Sequence, residues 1–262
     1  MDRQVLEQMG SMFDLSGRVA IVTGAAGGLG QIIASALVAF GANVVLASRN
    51  LDNLKQLENK IKELGGEGLA IAADITQPDQ VDHMVSATME RFKRIDILVN
   101  NSGIQIREPA EEMSLENWRK AMETNVTGAF LCSQRVGRVM ISRKRGKIIN
   151  MSSIRGKLGR AKDFISYCAS KGALDSFTRA LACEWGKHNI QVNSIAPSLI
   201  ETEMTRHSLA DPEWLNAFMT RVPAKRWGQP IDLAGSIIYF ASDASDYVNG
   251  QTLYLDGGYG IA

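Results

Sequence analysis

Short apolar runs rich in β-branched residues alternate with longer amphipathic stretches along nearly the whole chain. The run Arg18–Gly24 precedes a predicted helix at Leu29–Phe40, and Asn43–Ser48 precedes another at Leu51–Leu64. The alternation ends with a seventh apolar run at 251–258, QTLYLDGG. Strands that are apolar on both faces and separated by helices are typical of a parallel sheet covered on both sides. The pattern therefore predicts an α/β fold with a doubly wound, seven-stranded parallel sheet.

The length of 262 residues is common for one large α/β domain. No internal repeat, low-complexity tract or linker divides the sequence, so we expect a single domain over 1–262. Residues 1–15 precede the first predicted strand and form an N-terminal extension. Residues 198–230 follow a strand end and have weak periodicity, which favours a flap over a substrate site. A surface loop that packs on the sheet edge is the alternative.

Composition and charge exclude several kinds of partner. The formal net charge of +1 creates no strong field that would attract nucleic acid or a membrane. Three cysteines without a C-x-x-C spacing suit a reducing compartment, and the N-terminal residues lack the apolar core of a secretion signal. We therefore expect a cytoplasmic protein that acts on a small molecule. The scattered histidines predict no metal site.

Glycines cluster directly after the first predicted strand, in the sequence TGAAGGLG at 23–30. Gly24, Gly28 and Gly30 allow a tight turn, and the backbone around Leu29 can approach a ligand closely. The free N–H groups that begin the following helix point to the same place, where they can bind a pyrophosphate. A merely tight turn is the alternative, but the position within a β–α–β unit favours a dinucleotide site.

The end of the second predicted strand indicates which dinucleotide binds. Ser48, Arg49 and Asn50 stand where an acidic residue would favour a cofactor with a free ribose 2′-hydroxyl. Arg49 can instead donate charge-assisted hydrogen bonds to a 2′-phosphate. We therefore predict NADP(H) rather than NAD(H), although an arginine at a strand end can also be simply solvated.

Further candidates for the cofactor groove follow the third and fourth predicted strands. Asp74 and Ile75 follow the third strand, where Asp74 could contact the adenine amino group or cap the next helix. Asn101, Ser102 and Gly103 follow the fourth strand. These residues should lie near the glycine turn, because open α/β sheets bind ligands at the carboxyl ends of their strands.

Candidate reacting groups come later in the chain. Ser152 and Ser153 end the fifth predicted strand, and Tyr167 and Lys171 lie one turn apart in a helix that we expect to begin at Tyr167. A free tyrosine has a pKa of about 10. A neighbouring ammonium favours the phenolate and brings that pKa toward a working pH. Tyr167 could then give a proton to a carbonyl oxygen, while Ser153 hydrogen-bonds this oxygen and Lys171 holds the nicotinamide ribose.

The segments TGAAGGLG, NNSG, SS…Y…K and VNGQTLYLDGG together resemble the short-chain dehydrogenase/reductase family, over about 16–258. The resemblance implies a Rossmann-type sheet, a homotetramer, and catalysis by an Asn, a Ser, a Tyr and a Lys. In this sequence they are Asn125, Ser153, Tyr167 and Lys171. The resemblance places Asn125 on the helix before the fifth strand, where it would anchor a water in a proton relay.

The same resemblance implies cofactor contacts from three residues at and after the sixth strand: Pro197, Ile200 and Thr202. The sequence departs from the family pattern in two places. Ser198 replaces the glycine that commonly follows the proline. The spacing from Ser153 to Tyr167 is one residue longer than the commonest one, so Ser152 stays an alternative to Ser153.

The substrate is the least constrained part of the prediction. Basic residues follow the fourth strand and join Ser153 to Tyr167; they are Arg107, Arg155, Lys157, Arg160 and Lys162. A basic mouth suits a carboxylate or a phosphate, and a solvated loop explains it equally well. NSGIQIREP and RAKDFISYCASKGA resemble the gluconate 5-dehydrogenase branch, which interconverts a hydroxyl and a ketone of a sugar acid. We therefore predict substrate contacts from Arg107, Ser153, Arg155 and Tyr167.

Two other functions stay open at this point. A reductase of 3-oxoacyl thioesters, on acyl-carrier protein or as acetoacetyl-CoA, would use the same chemistry and a similar basic mouth. A dinucleotide sensor without catalysis would need only the fold. The presence of all four catalytic residues argues against the sensor.

Overall fold

The computed structural model describes residues 2–160, 163–203 and 205–262. All seven predicted strands are present in these ranges, and the three whose bounds are predicted above begin and end within three residues of those bounds. They are β1 Val19–Thr23, β2 Asn43–Ser48, β3 Gly68–Ala72, β4 Ile97–Asn100, β5 Gly146–Met151, β6 Ile190–Pro197 and β7 Thr252–Leu255.

The strands form one parallel sheet in the order β3-β2-β1-β4-β5-β6-β7. The chain first adds strands on one side of β1 and then on the other, so the order reverses between β1 and β4. A crevice opens at such a reversal, outside the carboxyl ends of the strands, and it is where open α/β sheets bind ligands. The predicted doubly wound sheet is therefore confirmed.

Helices connect the strands and cover the sheet. Their bounds are α1 Arg3–Ser11, α2 Leu29–Ala39, α3 Leu51–Glu63, α4 Pro78–Phe92, α5 Leu115–Met122, α6 Gly128–Arg143, α7 Ile165–Trp185, α8 Arg206–Leu209, α9 Pro212–Thr220 and α10 Ala234–Ala241. None of the helices in the described part of the chain combines the length and the apolar character needed to cross a bilayer.

Two local features of the helices differ from the expectation. Helix α7 begins at Ile165, not at Tyr167, because the carbonyl of Phe164 already accepts a hydrogen bond from the N–H of Cys168 at 2.8 Å. Asn125 lies in a π-helical turn, Glu123–Thr127, between α5 and α6. Such turns widen the helix locally and re-aim the side chains within them.

Successive residues of β1 point to opposite faces of the sheet and enter two separate cores. One core packs against α2, α3 and α10 and includes Ala20, Val22, Ile33, Leu37, Leu54 and Ile237. The other packs against α4 and α6 and includes Val19, Ile21, Val81, Met84, Val136 and Met140. A third cluster joins the segment 198–230 to the chain end through Phe218 and Tyr259. Part of this segment is therefore packed, even though its periodicity is weak.

Candidate active site

A cavity of about 710 Å³ runs along the carboxyl ends of the strands. The glycine turn lines one end, the pair Tyr167 and Lys171 lies further along it, and residues of the segment 198–230 line another wall. A second cavity of about 360 Å³ shares Gly24, Arg49 and Ser102 with the first. The strand-end residues predicted separately from the sequence therefore border one continuous groove.

The glycine turn has the shape that a pyrophosphate cradle requires. Gly24 and Gly28 have φ values of 65° and 56°. Residues that carry a side chain adopt such positive values only with strain. Gly30 does not line the cavity but lies beneath the turn, where a Cβ would stand 2.2 Å from the carbonyl oxygen of Gly24. This cradle fits the phosphates of a dinucleotide, because three glycines, Gly24, Gly27 and Gly28, expose their backbone to the cavity just before α2 begins at Leu29.

Asn101 ties the glycine turn to the end of β4. Its side-chain Nδ2 donates to the carbonyl oxygens of Thr23 at 3.0 Å and of Gly24 at 3.2 Å. The hydroxyl of Thr23 in turn accepts from the N–H groups of Asn101 and Ser102, at 3.0 and 3.1 Å. Asn101 lines the cavity as expected, and these bonds also hold the turn in place.

The second cavity collects residues from the ends of β2 and β3. Ser48, Arg49, Asp74 and Ile75 line it, and Arg49 is exposed at its border with the first cavity. Asn50 lines neither cavity; its Oδ1 accepts from the N–H of Asn53 at 3.0 Å and caps α3. The expected cofactor contact of Asn50 is therefore replaced by a capping role.

Asp74 is not the cap of the following helix, so that alternative is wrong. The N-cap of α4 is Gln77, and Asp74 Oδ1 accepts from the N–H and the hydroxyl of Thr76 at 3.0 and 2.8 Å. The carboxylate of Asp74 closes a local turn at the border of the cavity. It stays available to a ligand through its other oxygen.

Ser153, and not Ser152, faces the phenol of Tyr167. Burial raises the pKa of Tyr167 above its ordinary value, and a hydrogen bond with Ser153 opposes this rise only in part, so the expected lowering of this pKa is not found. The hydroxyl of Ser152 instead donates to the carbonyl of Lys171 at 3.4 Å and hydrogen-bonds the carboxylate of Asp175. A short 3-10 turn, Ile154–Gly156, directly follows Ser153.

Lys171 is almost fully buried beside this pair. Its Nζ donates to the carbonyl of Met151 at 2.6 Å and lies 5.6 Å from the centre of the Tyr167 ring. Burial lowers the pKa of Lys171 from 10.5 to about 8, and the negative charge of Asp175 opposes that shift. The ammonium is therefore poised to lose its proton in the working range of many enzymes.

Asp175 is a buried carboxylate beneath the site that the sequence analysis did not single out. It lies one helical turn after Lys171, and Ser194 donates to its Oδ1 at 3.2 Å. Burial raises the pKa of Asp175, whereas hydrogen bonds from Ser152 and Ser194 lower it. The four-residue spacing from Lys171 was a usable signal, since such pairs share a helix face.

Asn125 fixes the loop after β4 against α7. Its Oδ1 accepts from the N–H of Ile104 at 2.8 Å, and its Nδ2 donates to the carbonyl of Ile104 and to the hydroxyl of Ser170, both at 2.9 Å. A Cβ on Gly103 would lie 3.3 Å from Asn125 Oδ1 and 3.5 Å from Lys171 Nζ. Asn125 is thus buried behind the groove, while Gly103 lines it.

The segment 198–230 covers the other side of the groove. Pro197, Ile200 and Thr202, for which we predict cofactor contacts, line the first cavity. Ile200 pairs with Gly228 in a short parallel bridge, and the N–H of Gly228 donates to Leu199 at 2.9 Å. These contacts close the base of the segment, and Trp214 and Phe218 of α9 line the cavity beyond it.

Three arginines line the first cavity near the segment 198–230: Arg107, Arg155 and Arg160. Arg107 and Arg155 are in the predicted substrate set, whereas Arg160 was assigned only to a basic loop. Lys162, also part of that predicted loop, lies outside the described residues. The cavity is therefore positively charged where a substrate would enter.

The chain is similar to known oxidoreductases over nearly its full length. The family model described as Enoyl-(Acyl carrier protein) reductase matches residues 24–260. A gluconate 5-dehydrogenase of Gluconobacter oxydans is 41% identical, covering 96% of this chain and 98% of the relative. A 3-oxoacyl-[acyl-carrier-protein] reductase of Synechocystis is 37% identical, covering 94% and 98%. The crystal structure of a gluconate 5-dehydrogenase from Burkholderia cenocepacia, in complex with NADP and tartrate, superposes with a TM-score of 0.93 at 38% identity, covering 96% and 98%.

Proposed function

The chain belongs to the short-chain dehydrogenase/reductase family, and we propose that it interconverts a hydroxyl and a ketone of a sugar acid such as gluconate, with NADP(H) as cofactor. The family makes it an oxidoreductase that uses a nicotinamide dinucleotide and acts on CH–OH groups. One observation supports the substrate class: the cavity that Tyr167 lines is also lined by three arginines besides Arg49. A carboxylate is the group that arginines bind best in two-point contact.

Proton transfer is assigned to Tyr167. A nicotinamide dinucleotide, when bound, supplies or accepts the hydride at the substrate carbon. Tyr167 gives its phenolic proton to the carbonyl oxygen during reduction and takes it back during oxidation. Ser153 hydrogen-bonds this oxygen and, through its bond with the phenol, orients both groups. Their shared position at the end of β5 and the start of α7 supports these roles.

Lys171 and Asn125 act behind the reacting pair. The ammonium of Lys171 stabilises the phenolate of Tyr167 by charge and would hold the cofactor ribose. Asn125 donates both of its amide hydrogens to protein groups. A relay water would therefore be held by the remaining lone pair of Asn125 Oδ1, the oxygen that lies close to Gly103.

The choice of NADP(H) rests on Arg49. Its side chain is exposed at the border of the two cavities, and the neighbouring Ser48 carries no charge that would repel a phosphate. Several similar crystal structures contain NADP, the one from Burkholderia cenocepacia among them. Arg49 would hold the 2′-phosphate through charge-assisted hydrogen bonds.

Replacing Arg49 by alanine should lower kcat/KM for NADPH by about 10- to 100-fold, because hydrogen bonds to charged groups contribute about 1.5–3 kcal/mol. The constants for NADH provide an internal control, since NADH has no 2′-phosphate, and they should stay within about twofold. Steady-state assays with both cofactors measure the ratio. An unchanged NADPH/NADH ratio would remove Arg49 from the phosphate site.

The pKa of about 8 for Lys171 predicts a pH step in cofactor affinity. Below this pH the ammonium attracts the anionic dinucleotide, and above it the attraction is lost. The Kd for NADPH should therefore rise severalfold between about pH 7 and pH 9. Asp175→Asn should move the step to lower pH, because removing a negative charge lowers the pKa of Lys171 further. Fluorescence titrations of NADPH measure both effects, and a step at the same pH in both proteins would contradict the assignment.

A second function is supported by the relative from Synechocystis: reduction of a 3-oxoacyl thioester. The same arginines could bind the phosphate of a phosphopantetheine arm. This substrate would carry its charge far from the ketone, whereas a sugar acid carries it within a few carbon atoms.

An assay with a panel of substrates tests the two functions. Oxidation of NADPH is followed by absorbance with 5-ketogluconate, related keto acids and acetoacetyl-CoA. Turnover of the sugar acids supports the proposed function, and turnover of the thioester alone supports the second one. Tight NADPH binding without turnover of any substrate would favour a dinucleotide sensor.

A further inference from the structure

Besides Arg49 at the border of the two cavities, three guanidinium groups line the first cavity, and none of these three forms an ion pair with a carboxylate of the described residues. They belong to Arg107, Arg155 and Arg160. Other arginines of the described chain are paired, for instance Arg94 with Asp96 at 2.7 Å and Arg226 with Asp232 at 2.6 Å. The positive charges of these three groups are therefore not balanced by an ion pair within the described residues, and they stay available to an anion at the cavity.

We propose, on the premise that the substrate is a sugar acid, that Arg160 is the main anchor of the substrate carboxylate. Arg107 and Arg155 then contribute mostly through their charge. Arg160 is half-buried, whereas Arg107 is exposed and the Nη1 of Arg155 already donates to the carbonyl of Gly159 at 3.2 Å. Of the three, Arg160 is the guanidinium that the surrounding structure prepares best for a ligand.

Two aromatic rings position Arg160. Its guanidinium carbon lies 4.3 Å from the ring centre of Phe164 and 5.1 Å from that of Trp214. A guanidinium that stacks on rings uses its faces for those contacts and keeps its N–H groups, which lie in its plane, for hydrogen bonds. No bond from these N–H groups to another described residue is present. The N–H groups of Arg160 are therefore held in a fixed plane and are available to bind an acceptor on a ligand.

The electrostatics of the cluster favour an anion. Burial is the main cause that lowers the pKa of Arg160, followed by the positive charges of Arg155 and Arg107. The groups that raise it are Tyr259 and Cys168, and neither is a carboxylate. Like charges held together in a partly buried site destabilise one another, and a bound carboxylate relieves that repulsion.

The same stacking links the carboxylate site to the reacting groups. Phe164 directly precedes α7, which carries Tyr167, and its ring packs edge-on against the Tyr167 ring at 6.4 Å. Trp214 belongs to α9 in the segment 198–230. Arg160 therefore joins the two walls of the groove, and a carboxylate bound to it would place the rest of a sugar acid beside Tyr167.

Arg160→Gln tests this role because it removes the charge and keeps a polar, unbranched side chain. We expect KM for D-gluconate to rise about 10- to 100-fold, as is usual when a charge-assisted bidentate contact is lost. The values of kcat and of Kd for NADPH should stay within about threefold. Arg160→Lys should fall between the wild type and Arg160→Gln, because it keeps the charge but loses the planar fork. Arg91→Gln, an exposed residue on α4 far from the groove, is the matched control.

A direct binding measurement separates carboxylate recognition from turnover. Calorimetric titration of gluconate into NADP-saturated Tyr167→Phe protein should give measurable binding, which Arg160→Gln in the same background should weaken by a similar factor. An unchanged KM and Kd for gluconate would overturn the role of Arg160, as would an equal loss of NADPH affinity, which indicates a structural defect. A wild-type protein that turns over no sugar acid would overturn the proposed function instead, before any variant is made.

Discussion

Tyr167→Phe should lower the rate of ketone reduction by about 10²–10⁴-fold, the usual contribution of a positioned general acid. The substitution removes only the hydroxyl, so the ring keeps its edge-on contact with Phe164. Affinity for NADPH should stay within about twofold, because the groove and its glycine turn are unchanged. Single-turnover absorbance measurements of NADPH oxidation report the chemical step, and fluorescence titration reports the affinity.

Tyr239→Phe is the matched control for this substitution. Tyr239 lies on α10, packs beside Phe240 at 5.4 Å between ring centres, and does not border the groove. It should keep wild-type turnover. Normal turnover by Tyr167→Phe would refute the assignment of the proton donor. Loss of NADPH binding would show that the phenol is needed for cofactor binding rather than for proton transfer.

Gly30→Ala should weaken dinucleotide binding by at least about tenfold and lower the free energy of unfolding by about 1–3 kcal/mol, which is typical of overpacking in a tight site. The added Cβ would meet the carbonyl oxygen of Gly24 at 2.2 Å and the Cα of Ala25 at 2.8 Å. Both are backbone atoms, so the turn itself must move, and its N–H groups move with it. Thermal unfolding with and without NADPH measures the two effects.

Gly27→Ala in the same turn provides the comparison. A Cβ at Gly27 meets no atom within 4 Å, and its backbone is not in the left-handed region. Its free energy of unfolding should therefore stay close to that of the wild type. Equal losses of stability in the two variants would mean that the loop tolerates no added side chain at either position. The close contact of Gly30 with the carbonyl of Gly24 would then not explain the effect.

The strands and the order of the functional motifs could be predicted because they depend on local patterns. Apolar runs such as Asn43–Ser48 can be buried on both faces only in a covered parallel sheet. The carboxyl ends of parallel strands meet at one edge, so the glycine turn, Arg49 and Ser153 had to approach one another. The helical spacing of Tyr167 and Lys171 placed these two residues on one face of α7.

Other parts of the site depend on contacts between distant segments, which no local pattern records. Asn50 and Asp74 both follow strands, yet only Asp74 borders the groove, because Asn50 is used to cap α3. The sequence alone does not show which of Ser152 and Ser153 faces Tyr167. They are distinguished by the direction of their side chains, one toward Asp175 and the other toward Tyr167.

The sequence alone determined the sheet and the edge at which its groove lies, because both follow from the periodicity and position of apolar residues. Only the tertiary structure decided which charges are left without a partner. In the sequence, Arg160 is one of several basic residues in a loop. In the structure it contacts the rings of Phe164 and Trp214, which are 50 residues apart in the chain. The energy of a charge depends on its burial and on its neighbours in space, and both arise only when the chain is folded.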